Sequence, residues 1–289
     1  MTTHDRRTFL KTAAGTAAAI AIEPQLLAGP RRLAAPIRVG VIGAGRQGRA
    51  ILGELAKFKE VTIAAIADVD PGRLRSGLRR ARGAKGHDAH EKLLDAKGVD
   101  AVFIATPTHT HEAVATAALA ADAHVYCESP LAHTIESCRS IAKAARGASK
   151  VFQTGMQGRA NPVYKLARSF VVSGAIRDVV AMRAQYHMKM SWRSPAPDPK
   201  FEKARNWKLD PAVSLGLIGE MGTQQFDVMH WFLGRYPVAV TASGDVLAWK
   251  DGRKVADTVR CEFRFEDGVQ LSYEANIANS YEGQYELLI

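Results

Sequence analysis

Three glycines spaced as G-x-G-x-x-G follow an apolar run in "IRVGVIGAGRQGRAILGEL". Gly43 permits a tight turn, Gly45 lets the backbone approach a pyrophosphate, and Gly48 lets the next helix pack closely on the strand. The first turn of that helix, with Arg46 and Gln47, offers free N–H groups to the pyrophosphate. Because the motif stands between a predicted strand and a predicted helix, it predicts a dinucleotide site.

A carboxylate ends the second predicted strand, "VTIAAIADVD". This residue, Asp68, stands 20 positions after Gly48, where a carboxylate accepts hydrogen bonds from the adenosine ribose hydroxyls. A carboxylate repels a 2′-phosphate, so NAD is favoured, and NADP stays possible because Arg73 or Arg75 could weaken that preference. The alternative is that Asp68 is only a turn residue.

Strands and helices alternate from residue 37 to residue 157, which predicts a doubly wound parallel sheet of the Rossmann type. Ligands of such sheets lie at the carboxyl ends of the strands. Beyond the glycines and Asp68, the residues predicted at this edge are Thr106, Pro107, Glu128, Pro130 and Gln157.

The stretch "DRRTFLKTAAGTAAAIAI" opens the chain with an arginine pair and a weakly apolar, alanine-rich run. It resembles a twin-arginine export signal. We therefore expect residues 1–36 to be a signal segment, read by the twin-arginine machinery, and the protein to be periplasmic or otherwise extracytoplasmic. An amphipathic N-terminal helix is the alternative.

The remaining composition excludes several classes of protein. The 289 residues suffice for two domains, and no run of 18 apolar residues predicts a membrane span. The net charge is +10, but the basic residues are scattered and lack interleaved aromatic residues, so a nucleic-acid partner is not expected. The three cysteines fit neither a disulfide framework nor a metal motif.

Five segments in this order resemble the Gfo/Idh/MocA family of glucose–fructose oxidoreductase and inositol dehydrogenase. They are "GVIGAGRQG", "AIADVDPGRL", "VFIATPTHTHEAV", "HVYCESPLAHT" and "GEMGTQQFDVMHWFLG". The resemblance covers almost everything after residue 36. It implies tightly bound NAD or NADP, a sugar or cyclitol substrate, and His111 near the cofactor without a metal.

The resemblance also implies the organisation of residues 158–289. We expect an α/β domain with an open, largely antiparallel sheet that closes over the nicotinamide and pairs with a second copy in a homo-oligomer. One helix is predicted from about Glu220 to Phe232, and hairpins are predicted at Asp251-Gly252 and Asp267-Gly268. Because relatives run on for some dozens of residues, we expect this domain to be incomplete at its C-terminus.

The catalytic pattern of the family is altered in this chain. Active relatives carry Glu-Lys-Pro and, on the later helix, an Asp followed four residues on by a His. The matching positions here are Ser129 for the Lys, Glu220 for the Asp and Gln224 for the His. Alcohol oxidation needs a base for the hydroxyl proton, and neither a Ser hydroxyl nor a Gln amide serves as one. Both can still position hydroxyl groups.

Other residues offer replacements for the missing base. Tyr186 and His187 lie on a predicted strand that, by resemblance, faces the substrate, and as neighbours they point to opposite faces of the sheet. Arg159 and Tyr164 are predicted near the entrance, and Asp227 on the ligand-facing helix. For each of these, an ordinary polar residue is the alternative.

Three hypotheses follow from these residues. The first is an exported NAD(P)-dependent oxidoreductase that acts on a sugar or cyclitol hydroxyl by hydride transfer, with atypical acid–base residues. The second is a redox-neutral NAD-dependent glycosidase or lyase, since such relatives also depart from the Lys. The third is a sugar- or nucleotide-binding homologue without activity.

Overall fold

The computed structural model describes residues 35–289. Its first sheet has six strands, all parallel, in the order β3-β2-β1-β4-β5-β6. This is the strand order of dinucleotide-binding domains, with the reversal between β1 and β4. The strands are β1 (Ile37–Ile42), β2 (Val61–Ala67), β3 (Lys85–His87), β4 (Ala101–Ile104), β5 (His124–Cys127) and β6 (Phe152–Thr154).

Five helices connect these strands, and their ends follow local sequence signals. Asp70 caps α2 by accepting hydrogen bonds from Gly72 N and Arg73 N, and Thr134 caps α5 through Ser137 N. Apolar side chains of the strands and helices form the two cores of this sheet. The helices are α1 (Arg46–Leu55), α2 (Pro71–Leu78), α3 (His90–Asp95), α4 (His111–Ala120) and α5 (Ile135–Gly147).

The second sheet has five strands in the order β11-β7-β10-β9-β8. Only β7 and β10 pair in parallel, and the other three pairs are antiparallel. Together the two sheets confirm the predicted fold class. The strands are β7 (Ala181–His187), β8 (Ala239–Asp245), β9 (Thr258–Arg264), β10 (Gln270–Asn276) and β11 (Gln284–Leu288).

Five short helices accompany the second sheet: α6 (Gln157–Ala160), α7 (Pro162–Val172), α8 (Glu202–Arg205), α9 (Gly216–Glu220) and α10 (Gly222–Leu233). Alternate side chains of the central strands, among them Met182, Ala184 and Tyr273, form one core with apolar side chains of α9 and α10. The other face of the sheet carries polar and charged side chains. Within residues 35–289, no helix has both the length and the apolar character needed to cross a bilayer.

The helix expected from about Glu220 to Phe232 is confirmed as α10, whereas Glu220 itself ends the preceding helix α9. The break falls at Met221, between α9 and α10, and the Thr223 hydroxyl donates to the Gly219 carbonyl at 2.6 Å. The Asp267-Gly268 hairpin is confirmed between β9 and β10. The hairpin predicted at Asp251-Gly252 is also formed, since β8 and β9 pair antiparallel, but its connection is long and spans residues 246–257.

Candidate functional site

The three glycines of the first loop meet different surroundings, and these match their predicted roles. Gly43 has a φ of +93°, and a Cβ there would lie 2.6 Å from the Ala105 carbonyl oxygen. A Cβ on Gly48 would lie 1.8 Å from the Gly43 carbonyl oxygen. A Cβ on Gly45 would meet nothing within 4 Å. The loop is therefore closely packed on the protein side and open in front of Gly45.

The N-terminus of α1 and Asp68 complete this end of the site. Gly45 caps α1 without any side-chain bond, so the first N–H groups of the helix face the open space. Asp68 accepts hydrogen bonds from Ala44 N at 2.7 Å and Asp70 N at 2.8 Å. Burial raises the pKa of Asp68, and the two N–H groups oppose that rise. Open glycine, free helical N–H groups and an oriented carboxylate fit a dinucleotide.

A buried salt bridge joins this end of the site to the later part of the chain. Asp70, 3% exposed, accepts a hydrogen bond from Arg205 Nε at 2.6 Å, and Arg205 also donates to the Pro195 carbonyl at 2.7 Å. The Arg205 guanidinium and the two capping N–H groups lower the pKa of Asp70 against the effect of its burial. The loop that follows β7 is thereby held over the first sheet.

His111 fastens two loops at the edge of the first sheet. The side chain is 1% exposed, its Nδ1 lies 3.0 Å from the Pro130 carbonyl oxygen, and its Nε2 lies 3.0 Å from the Thr106 carbonyl oxygen. Both ring nitrogens are therefore occupied by backbone, and burial lowers the pKa of His111. The ring positions the Thr106-Pro107 and Ser129-Pro130 segments rather than reaching a ligand itself.

The Glu128 side chain links the glycine loop to β5. Gln47 Nε2 donates to Glu128 Oε1 at 2.9 Å, and the Tyr126 hydroxyl lies 3.4 Å from the same oxygen. Burial raises the pKa of Tyr126, and the nearby charge of Glu128 raises this pKa further. Gln47 and Glu128 thus stand side by side at the mouth of the predicted coenzyme site.

Gln224 occupies the position where relatives carry a His, and its amide is used to join three segments. Its Nε2 donates to Ser129 Oγ and, at 2.6 Å, to the Gly155 carbonyl oxygen. Its Oε1 accepts from Gln157 N at 3.0 Å. Gln224 therefore acts as a brace that holds Ser129 and Gln157 against α10, and its amide is not free to move a proton.

Glu220 is the ionisable residue among the three positions that match the family's catalytic pattern, the other two being Ser129 and Gln224. Thr108 Oγ1 donates to its Oε2 at 3.0 Å, and Leu215 N donates to its Oε1 at 3.3 Å. Burial raises the pKa of Glu220, while nearby Lys208 is the largest of the influences that lower it. Thr108 and Glu220 therefore join the first sheet to α9 through a hydrogen-bonded carboxyl group.

Lys208 is a charged residue of the site that the sequence patterns did not single out. It lies on the short 3-10 turn Trp207–Leu209, with its Nζ 4.9 Å from the Trp192 ring centroid and 5.5 Å from that of Trp207. Burial lowers its pKa, Glu220 raises it, and Arg46 lowers it. Lys208 is thus a cation flanked by two indole rings, on which the charges of Glu220 and Arg46 both act. The only sequence signal was a lysine within the Trp- and Pro-rich loop, which has no periodicity.

Three further predicted residues are paired with protein groups. Arg159 forms a two-point salt bridge with Asp227, with Nε–Oδ2 and Nη2–Oδ1 distances of 2.7 and 2.8 Å. The Tyr164 hydroxyl donates to Glu286 on β11. Arg159 and Asp227 lie beside the Gln157–Gln224 contact, whereas Tyr164 is directed to the second sheet.

The structure separates Tyr186 from His187, as their adjacency on β7 requires. Tyr186 packs with the core on the helix-facing side of the sheet. His187 lies on the other face, where its Nδ1 is 3.1 Å from the Tyr281 carbonyl oxygen and its Nε2 is 3.1 Å from Glu274 Oε1. His187 therefore does not join Glu220, Gln224 and Ser129, because strand alternation turns it away from α9 and α10.

The "TPTHTH" segment carries two histidines, His109 and His111. Within residues 35–289, no group of three or more His, Cys, Asp or Glu side chains is arranged to hold a metal ion. His109 packs instead against His133 and Trp207, with ring centroids 6.1 and 5.9 Å away.

Two family models match the chain. The model described as "Oxidoreductase family, NAD-binding Rossmann fold" matches residues 37–156, and the "GFO/IDH/MocA C-terminal domain" matches residues 164–289. The chain is 28% identical to inositol 2-dehydrogenase 2 of Saccharopolyspora erythraea over 87% of its length and 70% of that protein. It is also 28% identical to myo-inositol 2-dehydrogenase of Thermotoga maritima, over 80% of its length and 66% of that protein.

Solved structures agree on the fold. Myo-inositol 2-dehydrogenase of Lactobacillus plantarum superposes with a TM-score of 0.75 at 22% identity, over 88% of this chain and 74% of that one. A levoglucosan dehydrogenase in complex with NADH superposes with a TM-score of 0.69 at 25% identity, over 87% and 69%. The two matched models, the shared fold and the glycine-loop geometry lead to one conclusion: this chain belongs to the GFO/IDH/MocA family of oxidoreductases.

Proposed function

We propose that the protein is an NAD-dependent oxidoreductase that acts on a hydroxyl group of a cyclitol or sugar. The observation that carries the proposal is the open face of Gly45 before the free N–H groups of α1, with Asp68 oriented beside it. The names of the inositol and levoglucosan dehydrogenase relatives support the substrate class. When bound, the coenzyme supplies a nicotinamide ring that accepts a hydride.

The residues of this chain divide the remaining work. The α1 N-terminus would hold the pyrophosphate of the coenzyme and Asp68 its adenosine ribose, and His111 fixes the Thr106-Pro107 and Ser129-Pro130 segments. Gln224 keeps the Ser129 hydroxyl in place through its amide. Glu220, with its raised pKa, is able to accept a hydrogen bond from a substrate hydroxyl or donate one to it.

A coenzyme-reduction assay with the purified full chain tests the proposal. NAD⁺ is supplied with myo-inositol, scyllo-inositol, levoglucosan and common hexoses, one at a time, and NADH fluorescence is recorded. The proposal predicts reduction with at least one member of the panel. Release of nitrophenol from a nitrophenyl glycoside without net NADH would replace it with the redox-neutral glycosidase. No reaction of either kind, in protein that binds NAD⁺, would favour a binding homologue.

We further propose that the protein is exported by the twin-arginine route and works outside the cytoplasm. The support is the Arg6-Arg7 pair with its alanine-rich continuation, a segment that lies outside the described residues. Replacing both arginines with lysine should leave the full chain in the cytoplasmic fraction of an expressing bacterium. Unchanged export of the double variant would contradict the proposal.

We also propose that two copies pair through the polar face of the second sheet. This face carries polar and charged side chains, including the salt bridge between Arg260 Nη2 and Glu274 Oε2 at 2.9 Å and the hydrogen bond from Ser272 to Glu262 at 2.7 Å. Light scattering should give a particle mass of twice the chain mass or a multiple of that value. Arg260→Glu should reduce the particle mass. A monomeric wild-type protein would contradict this proposal.

A further inference from the structure

The ammonium group of Lys208 is placed as a built feature of the site. Trp192 and Trp207 flank it at cation–π distances, and Trp192 adopts a φ of +62°, an uncommon conformation for a bulky residue. Strained backbone of this kind tends to occur at functional sites. Within residues 35–289, Lys208 Nζ has no hydrogen bond and no ion pair with a protein group. Its nitrogen is therefore available to a ligand.

The charges around Lys208 come from both halves of the chain. Glu220, at the end of α9, is the carboxylate that acts on it, and Arg46, in the first turn of α1, is the second cation. Glu220 is itself held by Thr108 and Leu215 and forms no direct ion pair with Lys208. Trp207, next to Lys208, packs against His109 with ring centroids 5.9 Å apart, and His109 follows the Thr108 that donates to Glu220. The short turn that carries Lys208 is thereby packed beside the segment that holds Glu220.

We propose that Lys208 is the group that exchanges the substrate hydroxyl proton, with Glu220 as its supporting carboxylate, in place of the lysine that Ser129 replaces. This proposal rests on the proposed function. In the oxidation direction, neutral Nζ accepts the hydroxyl proton and becomes an ammonium. The O–H electron pair becomes the second carbon–oxygen bond as the C–H hydrogen leaves with its electron pair for the nicotinamide coenzyme. The reverse transfers balance the reduction.

Other residues of the site are less suited to this step. The amide of Gln224 is occupied by three hydrogen bonds, and His187 lies on the opposite face of the second sheet. The Tyr164 hydroxyl is bound to Glu286, and burial raises its pKa further. Burial acts in the useful direction for Lys208, since it lowers the pKa of an amine towards neutral pH.

A labelling experiment tests the proton affinity of Lys208 without any catalysis. The full chain is treated briefly with acetic anhydride across a pH series, and mass spectrometry gives the labelling rate at each lysine. Lys203, whose side chain is 85% exposed, is the internal reference. The pH at which labelling reaches half of its maximal rate should be lower for Lys208 than for Lys203. In Glu220→Gln this pH should fall further for Lys208, because Glu220 raises the pKa of Lys208. Equal midpoints at Lys208 and Lys203 would overturn the proposal.

Kinetics of matched variants complete the test. Lys208→Met and Lys208→Arg should both bind NAD⁺ in calorimetry and lose roughly 100-fold or more in kcat. Methylamine should partly restore Lys208→Met, and Lys203→Met should remain as active as wild type. If Lys208→Met keeps wild-type kcat, Lys208 is not the proton carrier although the oxidoreductase function stands. A wild-type protein that reduces no coenzyme defeats the function itself, which is a separate outcome.

Discussion

Gly45→Ala separates coenzyme binding from folding more cleanly than any other single change in the glycine loop. The φ of Gly45 is −64°, which an alanine adopts without strain, and the added methyl group meets no protein atom within 4 Å. It enters the open space in front of the α1 N-terminus. If that space receives a pyrophosphate, the methyl group obstructs it.

Gly45→Ala should change the stability of the fold less than it changes the affinity for NAD⁺. Alanine is a poorer N-cap than glycine, so we expect a loss of about 0.5 to 1 kcal/mol in the free energy of unfolding. NAD⁺ affinity should fall at least about tenfold, or about 1.4 kcal/mol, because the close approach of the backbone is lost. Gly48→Ala is the contrasting change, since its Cβ would lie 1.8 Å from the Gly43 carbonyl oxygen. That variant should lose about 3 kcal/mol of stability.

Denaturant unfolding followed by circular dichroism gives the stability, and calorimetric titration gives the NAD⁺ affinity. Gly53→Ala is the matched control, because it lies on the same helix, also has no atom within 4 Å of its Cβ, and is remote from the loop. It should bind NAD⁺ like wild type and gain about 0.5 to 1 kcal/mol of stability. If Gly45→Ala binds NAD⁺ as tightly as Gly53→Ala, the coenzyme does not lie where the loop predicts.

Three further predictions follow from the same geometry. Asp68→Asn should weaken NAD⁺ binding about tenfold in calorimetry and reduce the ratio of NAD⁺ affinity to NADP⁺ affinity, because the charge that repels a 2′-phosphate is removed. An unchanged ratio of the two affinities would count against Asp68 as the ribose ligand. Arg205→Met should lower the free energy of unfolding by about 1 to 3 kcal/mol at pH 7, because Asp70 stays buried with only the N–H groups that it caps as partners. Since the pKa of Asp70 is lowered in the folded protein, this loss of stability should become smaller at acidic pH, where Asp70 is protonated. The pKa of Glu220 is raised in the folded protein above the 4.5 of a free Glu, so the wild type loses stability as the pH rises from the unfolded to the folded pKa. The free energy of unfolding of Glu220→Gln, relative to that of the wild type, should therefore be higher at pH 7 than at pH 4. A difference between the two proteins that does not change with pH would contradict this prediction.

The first sheet could be predicted closely from the sequence because its signals are local. The glycine spacing, the apolar strands and Asp68 each act within one βαβ unit, and the strand order follows from that repeated unit. Asp68 directly follows β2, where the sequence predicted it, but its hydrogen bond from Ala44 N was not predicted.

The candidate site was harder to predict because its members meet through long-range contacts. Gln224 looked like a lost histidine, and only the structure shows that it braces Ser129 and Gln157. Lys208 lies in a loop whose shape depends on the Arg205–Asp70 salt bridge, across 135 residues of sequence.

The most direct measurement is a calorimetric titration of the folded full chain with NAD⁺ and with NADH. Saturable binding of at least one form, at one site per chain and weakened in Gly45→Ala, is the result predicted from the glycine loop. Protein that is folded by circular dichroism and gives no binding heat with either form at several temperatures would contradict the account.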